Sequence, residues 1–435
     1  MAPGNRPFTY CEGAPSWNPT TYIADTTLHS RAEALLADDD LASAVAASFS
    51  LPPPPRDKYV YHAIVSVTLP EVQHVISLGR QNALHAWYFA PSSAPPSSDS
   101  PPKQTLTSLP PPPPADTESY LSIFSPSTLT PSALKTFLSN AKKDSLRLAI
   151  AQYLQSKRFL HASLPQLAIP KLGKKARAPA NPYLQYLSWS SRALEWAGPC
   201  AAATLAGHRS HHVLPVLMHH FGCACPTHEA LEIVRALAAG REVLDVGSGG
   251  GYWTFMLRAY GVPTTAVDNA QSAWRVSWVP DTVVSEGSTF LRKRRASRAQ
   301  PGGKNTAAEI DPDEPVLLLV YPIVGGSVAG GEEGGFTRAM LDAYAGDTLA
   351  VVGTQNRNGY TGFRGESMDE YMERERGADG WVKVVQVALP SFPGKDEALF
   401  VFQRGDRAPK DVEEVSGENK SESKIDSSNG NRDAV

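Results

Sequence analysis

Apolar positions along the chain follow two regimes that change over near residue 241. Before that point the spacing is mostly helical and repeatedly broken. From His29 to Phe49, the residues Ala32, Leu35, Leu36, Ala42, Val45 and Phe49 share one face of a predicted helix, and Pro52 to Pro55 stop it. Tyr59 to Leu69 reads as a strand, Glu71 to Leu78 as a helix and Leu84 to Phe89 as a second strand. From Pro91 to Asp116 the sequence is mostly Ser, Pro and Thr, a composition that stays extended and solvated. Its proline run, Pro110 to Pro114, has the form of an SH3 or WW ligand but lacks flanking arginines, so it reads as a linker. Helical spacing returns from Pro131 to Leu160 through Leu134, Phe137, Leu138, Leu146, Ile150 and Leu154. A basic connector (KLGKKARAP) follows, then helices at Tyr183 to Ala197 and His211 to Phe221. A third runs from a Thr227 cap through Leu231, Val234 and Leu237 to a stop at Gly240.

From Arg241 short apolar strands alternate with helices: REVLDV, TTAV, TVVS, PVLLLVYP, TLAVVG, WVKVVQVALP and ALFVFQR. This alternation predicts an α/β fold with a doubly wound, Rossmann-like, seven-stranded sheet. The last two strands have no helix between them, so the final strand is expected to be reversed. The predicted organisation is an N-terminal accessory segment over 1–90, a Pro/Ser-rich linker over 91–116 and a helical accessory region over 117–207. The α/β domain follows over 208–404, and a disordered tail over 405–435.

Composition narrows the classes. With 42% hydrophobic residues in 435, a wholly disordered chain is excluded, and 41 basic against 44 acidic side chains exclude a generally basic nucleic-acid binder. The 37 prolines exceed the usual ~5%, in keeping with extended linkers. Cys11, Cys200, Cys223 and Cys225 are too few for a disulfide framework, which fits a reducing compartment. No apolar run reaches the ~18 residues of a membrane span, so a cytosolic or nuclear protein with no membrane partner is expected.

The densest chemical signal is V-L-D-V-G-S-G-G-G-Y-W, Val243 to Trp253, which joins a buried strand to a helix. Gly247 allows a tight turn, Gly249 and Gly251 admit a ligand close to the backbone, and the helix from Tyr252 offers free N–H groups. A dinucleotide fingerprint would want glycine where Tyr252 stands, and an aliphatic residue where Asp245 stands. An acidic residue two before G-x-G-x-G instead resembles motif I of the class I S-adenosylmethionine-dependent methyltransferases. The next strand ends at Asp268, followed by Asn269, where a carboxylate can accept from both ribose hydroxyls. The third ends at Ser285-Glu286, where this fold meets the adenine ring. Which of the two faces the base is open.

The resemblance extends from about His211 to Arg404, to a methyltransferase-like group marked by Pro-x-x-Glu-Ala-Leu (Pro226 to Leu231), a Leu-Leu-Leu strand four, a Tyr-x-Gly-Asp-Thr turn (Tyr344 to Thr348) and a Leu-Pro-x-x-Pro-Gly hairpin (Leu389 to Gly394). It implies S-adenosylmethionine as cofactor, held by Asp245, Gly247, Ser248, Gly249, Gly251, Tyr252, Asp268, Asn269, Ser285 and Glu286, and methyl transfer to an unidentified acceptor. Tyr321-Pro322 ends strand four, where the family faces the transferred methyl. The amine-methylating branch has Asp/Asn-Pro-Pro-Tyr there, and Tyr321 and Ile323 depart from it.

Three further clusters draw attention. The stretch from Gly207 to His228 holds six histidines with Cys223 and Cys225, but C-x-C is not a zinc-finger spacing and no metal is assigned. His219 or His220 is a candidate general base at the cofactor pocket, with hydrogen-bonded structural histidines as the alternative. Arg292 to Arg295 with Arg298 has the charge of a nucleic-acid patch without interleaved aromatics, and reads as a solvated loop. Gln355, Asn356, Arg357 and Tyr360 follow strand five and are expected to read the substrate. The competing function is a non-catalytic binding or scaffold protein on the same fold. A nicotinamide oxidoreductase is opposed by Tyr252.

Overall fold

The computed structural model of the chain describes residues 17–38, 40–51, 113–173, 175–190, 213–270, 276–298, 310–311, 313–322, 334–355, 366–391 and 396–410. The strands expected at 59–69 and 84–89, the helix at 71–78, most of the proline-rich linker and nearly all of the tail lie outside these residues. So do His208, His211, His212, Ile323, Asn356, Arg357 and Tyr360.

The N-terminal helical pattern resolves into more, shorter helices than its periodicity suggests. The stretch expected as one helix to Phe49 is two, α2 (Thr26–Ala37) and α3 (Leu41–Phe49), preceded by α1 (Pro19–Ala24). Asp25 and Asp40 divide them, each accepting from a main-chain N–H three residues on, at 2.9 and 3.0 Å. Helix α4 (Pro114–Ser122) begins inside the expected linker. The stretch from 131 to 160 likewise divides into α5 (Thr130–Ser139) and α6 (Leu146–Lys157), the latter capped by Ser145. Then come β1 (Phe159–Leu160), α7 (Pro182–Ser190), α8 (Val213–His220) and α9 (His228–Ala238). Thr227 caps α9 as expected, accepting from Ala230 N–H at 3.1 Å.

The alternating half forms β2 (Val243–Val246), α10 (Tyr252–Ala259), β3 (Thr264–Asp268), β4 (Val283–Val284), α11 (Gly287–Arg298), β5 (Val316–Val320), α12 (Gly335–Ala343), β6 (Thr348–Thr354), α13 (Met368–Arg376), β7 (Val382–Ala388) and β8 (Glu397–Gln403). The sheet order is β1-β7-β8-β6-β5-β2-β3-β4. Strands β4, β3, β2, β5 and β6 run parallel, while β8 is antiparallel to both β6 and β7. The doubly wound sheet and its reversed last strand match the sequence reading. One strand is added: β1 pairs antiparallel with β7 and makes the sheet eight-stranded among the described residues. Two residues of strand carry too little pattern to be seen in a sequence.

Burial explains the strand sequences. Strands β2, β6 and β8 are buried at every position and are largely apolar, with Asp245, Thr348, Thr354, Glu397 and Gln403 as buried polar exceptions. One core lies under α12 and α13, with Leu244, Leu317, Val351 and Phe400. On the opposite face, Leu231, Val243, Trp253, Leu318 and Val401 form a core that also takes in Tyr22, Leu36, Val45 and Phe49 of the N-terminal helices. The first helices therefore have no core separate from the sheet among the described residues. They complete one face of it. Helices α4 to α6 build a third core, around Tyr120, Phe137 and Ile150, which touches Ala388 of β7.

Candidate functional site

At the carboxyl edge of the parallel strands, β2 runs into the glycine turn. Gly247, Gly249 and Gly251 have φ of 79°, 56° and 76°. These are left-handed values that glycine adopts without steric cost, and they explain the alternating glycines. Gly247 and Ser248 donate main-chain N–H groups to Val267 O at 2.8 and 3.1 Å, which fastens the turn to β3. Asp268, the last residue of β3, faces the turn. Its Oδ2 accepts from Gly249 N–H at 3.0 Å, and its Oδ1 accepts from Ala270 N–H at 2.8 Å. Each carboxylate oxygen has a second lone pair, so both remain able to accept from a diol. Asn269 follows, exposed at the rim.

Asp245 lies beneath the turn, completely buried, and accepts from Thr254 Oγ1 at 2.7 Å. Burial pushes its carboxyl up to about 7, opposed by the Thr254 bonds and reinforced by the charge of Asp268. Asp245 Oδ1 and Ser248 Oγ are buried without a hydrogen-bond partner among the described residues. Such atoms are rare in folded proteins, and here one lies in the glycine turn and the other beneath it. The chemistry of the turn therefore suits a ligand that brings hydroxyl or ammonium donors.

Other predicted residues are placed differently from the sequence reading. The Tyr252 side chain points away from the turn, donating to Asn181 Oδ1 at 2.7 Å and accepting from Tyr183 N–H at 3.3 Å. Only its main chain is left for a ligand. Ser285 holds its strand end to β3 through an N–H to Asp268 O at 3.0 Å. Glu286 spends its carboxylate on the start of α11, accepting from Ser288 N–H, Ser288 Oγ and Thr289 N–H at 3.1, 2.9 and 2.7 Å. Burial raises its pKa, but these bonds outweigh it and hold the group below its usual value. Of the pair, Ser285 is the one left free of a capping role.

His219 and His220 are not at a pocket mouth. Both are 1% exposed, at the end of α8, with the His220 ring centroid 4.3 Å from that of Phe49. A general base has to reach its substrate, and both rings are buried, His220 beneath Phe49 of α3. Among the described residues no group of three His, Cys, Asp or Glu side chains is placed to hold a metal ion. Arg292 to Arg295 belong to helix α11 and not to a loop. Arg294 bonds Glu242 and Glu314 across the end of the sheet, at 3.0 and 3.3 Å. Gln355, expected to read substrate, is 2% exposed and donates to Asp396 Oδ1 at 2.8 Å while accepting from Gln386 at 3.1 Å.

Tyr321, at the exit of β5, is 5% exposed and has φ of 54°, an unusual conformation for a bulky side chain. Its N–H donates to Val352 O at 2.6 Å, which holds it against β6. Backbone strain of this kind collects at functional sites. Sequence reasoning missed Thr254, the partner of Asp245, and Phe336, whose ring lies 3.4 Å from where a Cβ on Gly247 would stand. It also missed the Asp396 network. A threonine on the first turn of a helix gave a faint signal of the first; the others follow only from tertiary packing.

The strand order, the reversed β8 and the glycine turn facing an acid at the end of β3 decide the fold. It is the class I methyltransferase fold. No protein-family model matches the chain, and no curated protein matches it. Among solved structures, the chain is similar to magnesium protoporphyrin IX methyltransferase from Synechocystis PCC 6803, with 13% identity over 40% of this chain and 79% of that one, at a TM-score of 0.24. It is similar also to a 1,6-didemethyltoxoflavin N1-methyltransferase from Burkholderia thailandensis, with 16% identity over 41% and 78%, at 0.25. An O-methyltransferase from neocarzinostatin biosynthesis shows 18% identity over 39% and 50%, at 0.22.

Proposed function

We propose that this protein transfers a methyl group from S-adenosylmethionine to an acceptor. The observation that carries the reading is the pairing of the Gly247 to Gly251 turn with the Asp268 carboxylate, 3.0 Å from Gly249 N. In this reading Asp268 accepts from the ribose hydroxyls, while Gly249, Gly251 and the main chain of Tyr252 lie along the amino-acid portion. Ser248 and Asn269 flank the ligand, and Ser285 borders the adenine ring. Asp245 sets the turn from below through Thr254.

The bound cofactor supplies an electrophilic methyl on a sulfonium. The chain's task is then to align the acceptor and exclude water. A base is needed only for an acceptor that must lose a proton, and neither His219 nor His220 is placed to serve. Tyr321 is assigned to the acceptor side, where its ring shapes the cavity wall.

Isothermal titration of the full chain with S-adenosylmethionine and S-adenosylhomocysteine tests it. Binding of both is expected, weakened at least ~10-fold by Asp268→Ala, which removes hydrogen bonds to a charged acceptor. Failure of either ligand to bind the unaltered protein would overturn the reading. Methyl-tritium transfer into fractionated lysate then separates enzyme from scaffold. Label in a macromolecular or small-molecule fraction is expected; cofactor binding without any labelled acceptor would favour the scaffold, a reading supported by Tyr321 standing where the amine-methylating branch has Asp or Asn.

A further inference from the structure

Three glycines cannot hold their own conformation, and the turn takes part of its support from a segment between β3 and β4. Trp278 N–H donates to Gly250 O at 2.8 Å. The next residue, Val279, lies against Gly251, where an added Cβ would fall 2.5 Å from Val279 Cγ2. The turn is thus held from β3 on one side and by Trp278-Val279 on the other.

What holds Trp278 is remote in sequence. Its indole is 2% exposed, and Nε1–H donates to His220 O at 2.6 Å. Its ring meets Tyr252 edge-on at 4.6 Å between centroids and Trp17 at 5.1 Å, and stacks on Phe221 at 5.7 Å. Trp17 is itself fixed by a 2.9 Å bond from Nε1–H to Ser48 O at the end of α3, and Phe49 packs beside both. A continuous aromatic path therefore runs from the first helices, through one indole, to a carbonyl of the glycine turn.

We propose that Trp278 is a positioning residue for the cofactor, and that residues 17–51 hold it in place. The inference rests on the function proposed above. In physical terms, a turn ordered before binding spares the ligand the cost of ordering it, so its support shows up in affinity and not only in stability. A tryptophan that merely filled the core would contribute to stability alone.

Titration of the full chain with S-adenosylhomocysteine, paired with thermal melts, separates the two. Trp278→Phe keeps a ring and the main-chain bond, and its Kd should stay within ~3-fold of the unaltered protein, whereas Trp278→Ala should loosen Kd by ~10-fold or more. Phe137→Ala, a large truncation in the separate core of α4 to α6, should lower the melting temperature with Kd unchanged. If Trp278→Ala does not fold, Trp17→Ala decides the question, since it removes only a half-buried ring from the edge of the indole; a looser Kd is expected. The proposal is overturned if Kd is unchanged in whichever of these two variants folds, or if Phe137→Ala loosens Kd equally. Absence of binding by the unaltered protein overturns the function and this inference together. Binding with an unchanged variant Kd overturns this inference alone.

Discussion

Asp245 makes a prediction that depends on no ligand. Its carboxyl is completely buried and pushed from 3.8 up to about 7, chiefly by burial, so the folded protein keeps a proton that the unfolded chain has lost over that range. The group's folded pKa lies above its unfolded one. Its contribution is therefore most favourable below about pH 4 and declines as the pH rises to 7. At about 1.4 kcal/mol per pKa unit, the three units correspond to about 4 kcal/mol, of which roughly 2 kcal/mol falls between pH 5 and 7, where the slope fades as the group itself titrates. Asp245→Asn is a neutral side chain of the same shape that still accepts from Thr254 Oγ1. Any packing change it introduces is independent of pH, so the informative quantity is the slope. Urea denaturation of both proteins at pH 5, 6, 7 and 8 should show the variant gaining about 2–3 kcal/mol on the parent between the extremes. Parallel stability profiles would show that Asp245 ionises freely under the turn and that its desolvation has been misjudged.

Two other buried charges give sharper structural tests. Arg241 bonds Asp347 at 2.8 Å, Thr348 Oγ1 at 3.1 Å and three main-chain carbonyls, with Asp347 only 2% exposed. Arg241→Met should cost about 3–5 kcal/mol in chemical denaturation, because it leaves the buried Asp347 carboxylate with only the Thr348 hydroxyl and the more exposed Arg407, and adding Asp347→Leu should recover part of that loss. Tyr153→Phe removes a donor to buried Asp396, whose carboxyl burial has already pushed up to about 6. Stability should drop by about 1–3 kcal/mol, more at pH 8 than at pH 5, since the carboxylate, having lost the Tyr153 donor, must still ionise above its folded pKa; an equal loss at both values would refute the pairing.

The α/β half was legible because its signals are local. A strand buried on both faces, such as Val316–Val320, favours apolar residues throughout, and the successive left-handed positions of the turn at Gly247, Gly249 and Gly251 favour glycine, so both leave marks that need no knowledge of neighbours. The side chains of the site were less legible. Glu286 and Asp268 are both acids at strand ends, yet one caps its own helix and the other faces the turn. That difference depends on where the chain goes next. Gln355 shows the same limit: an amide after a strand reads as a substrate contact until Asp396 and Gln386 are seen to occupy it.

The packing of the first helices onto the sheet was out of reach of the sequence for a related reason. Proline-rich sequence separates the first helices from the sheet, and separation along the chain suggested an accessory unit. But α1 to α3 are short and individually unable to bury their apolar faces, and helices of that length gain most of their stability from tertiary packing. Their partners are Tyr22 with Trp278, Phe49 with Phe221 and His220, and Tyr186 with the Ala44 carbonyl. These pairs join residues more than a hundred positions apart, which no window of sequence can register. The same packing explains why His219 and His220 sit buried where a catalytic base was expected. Their helix packs against Phe49 and holds Trp278 through the His220 carbonyl, which leaves both rings buried.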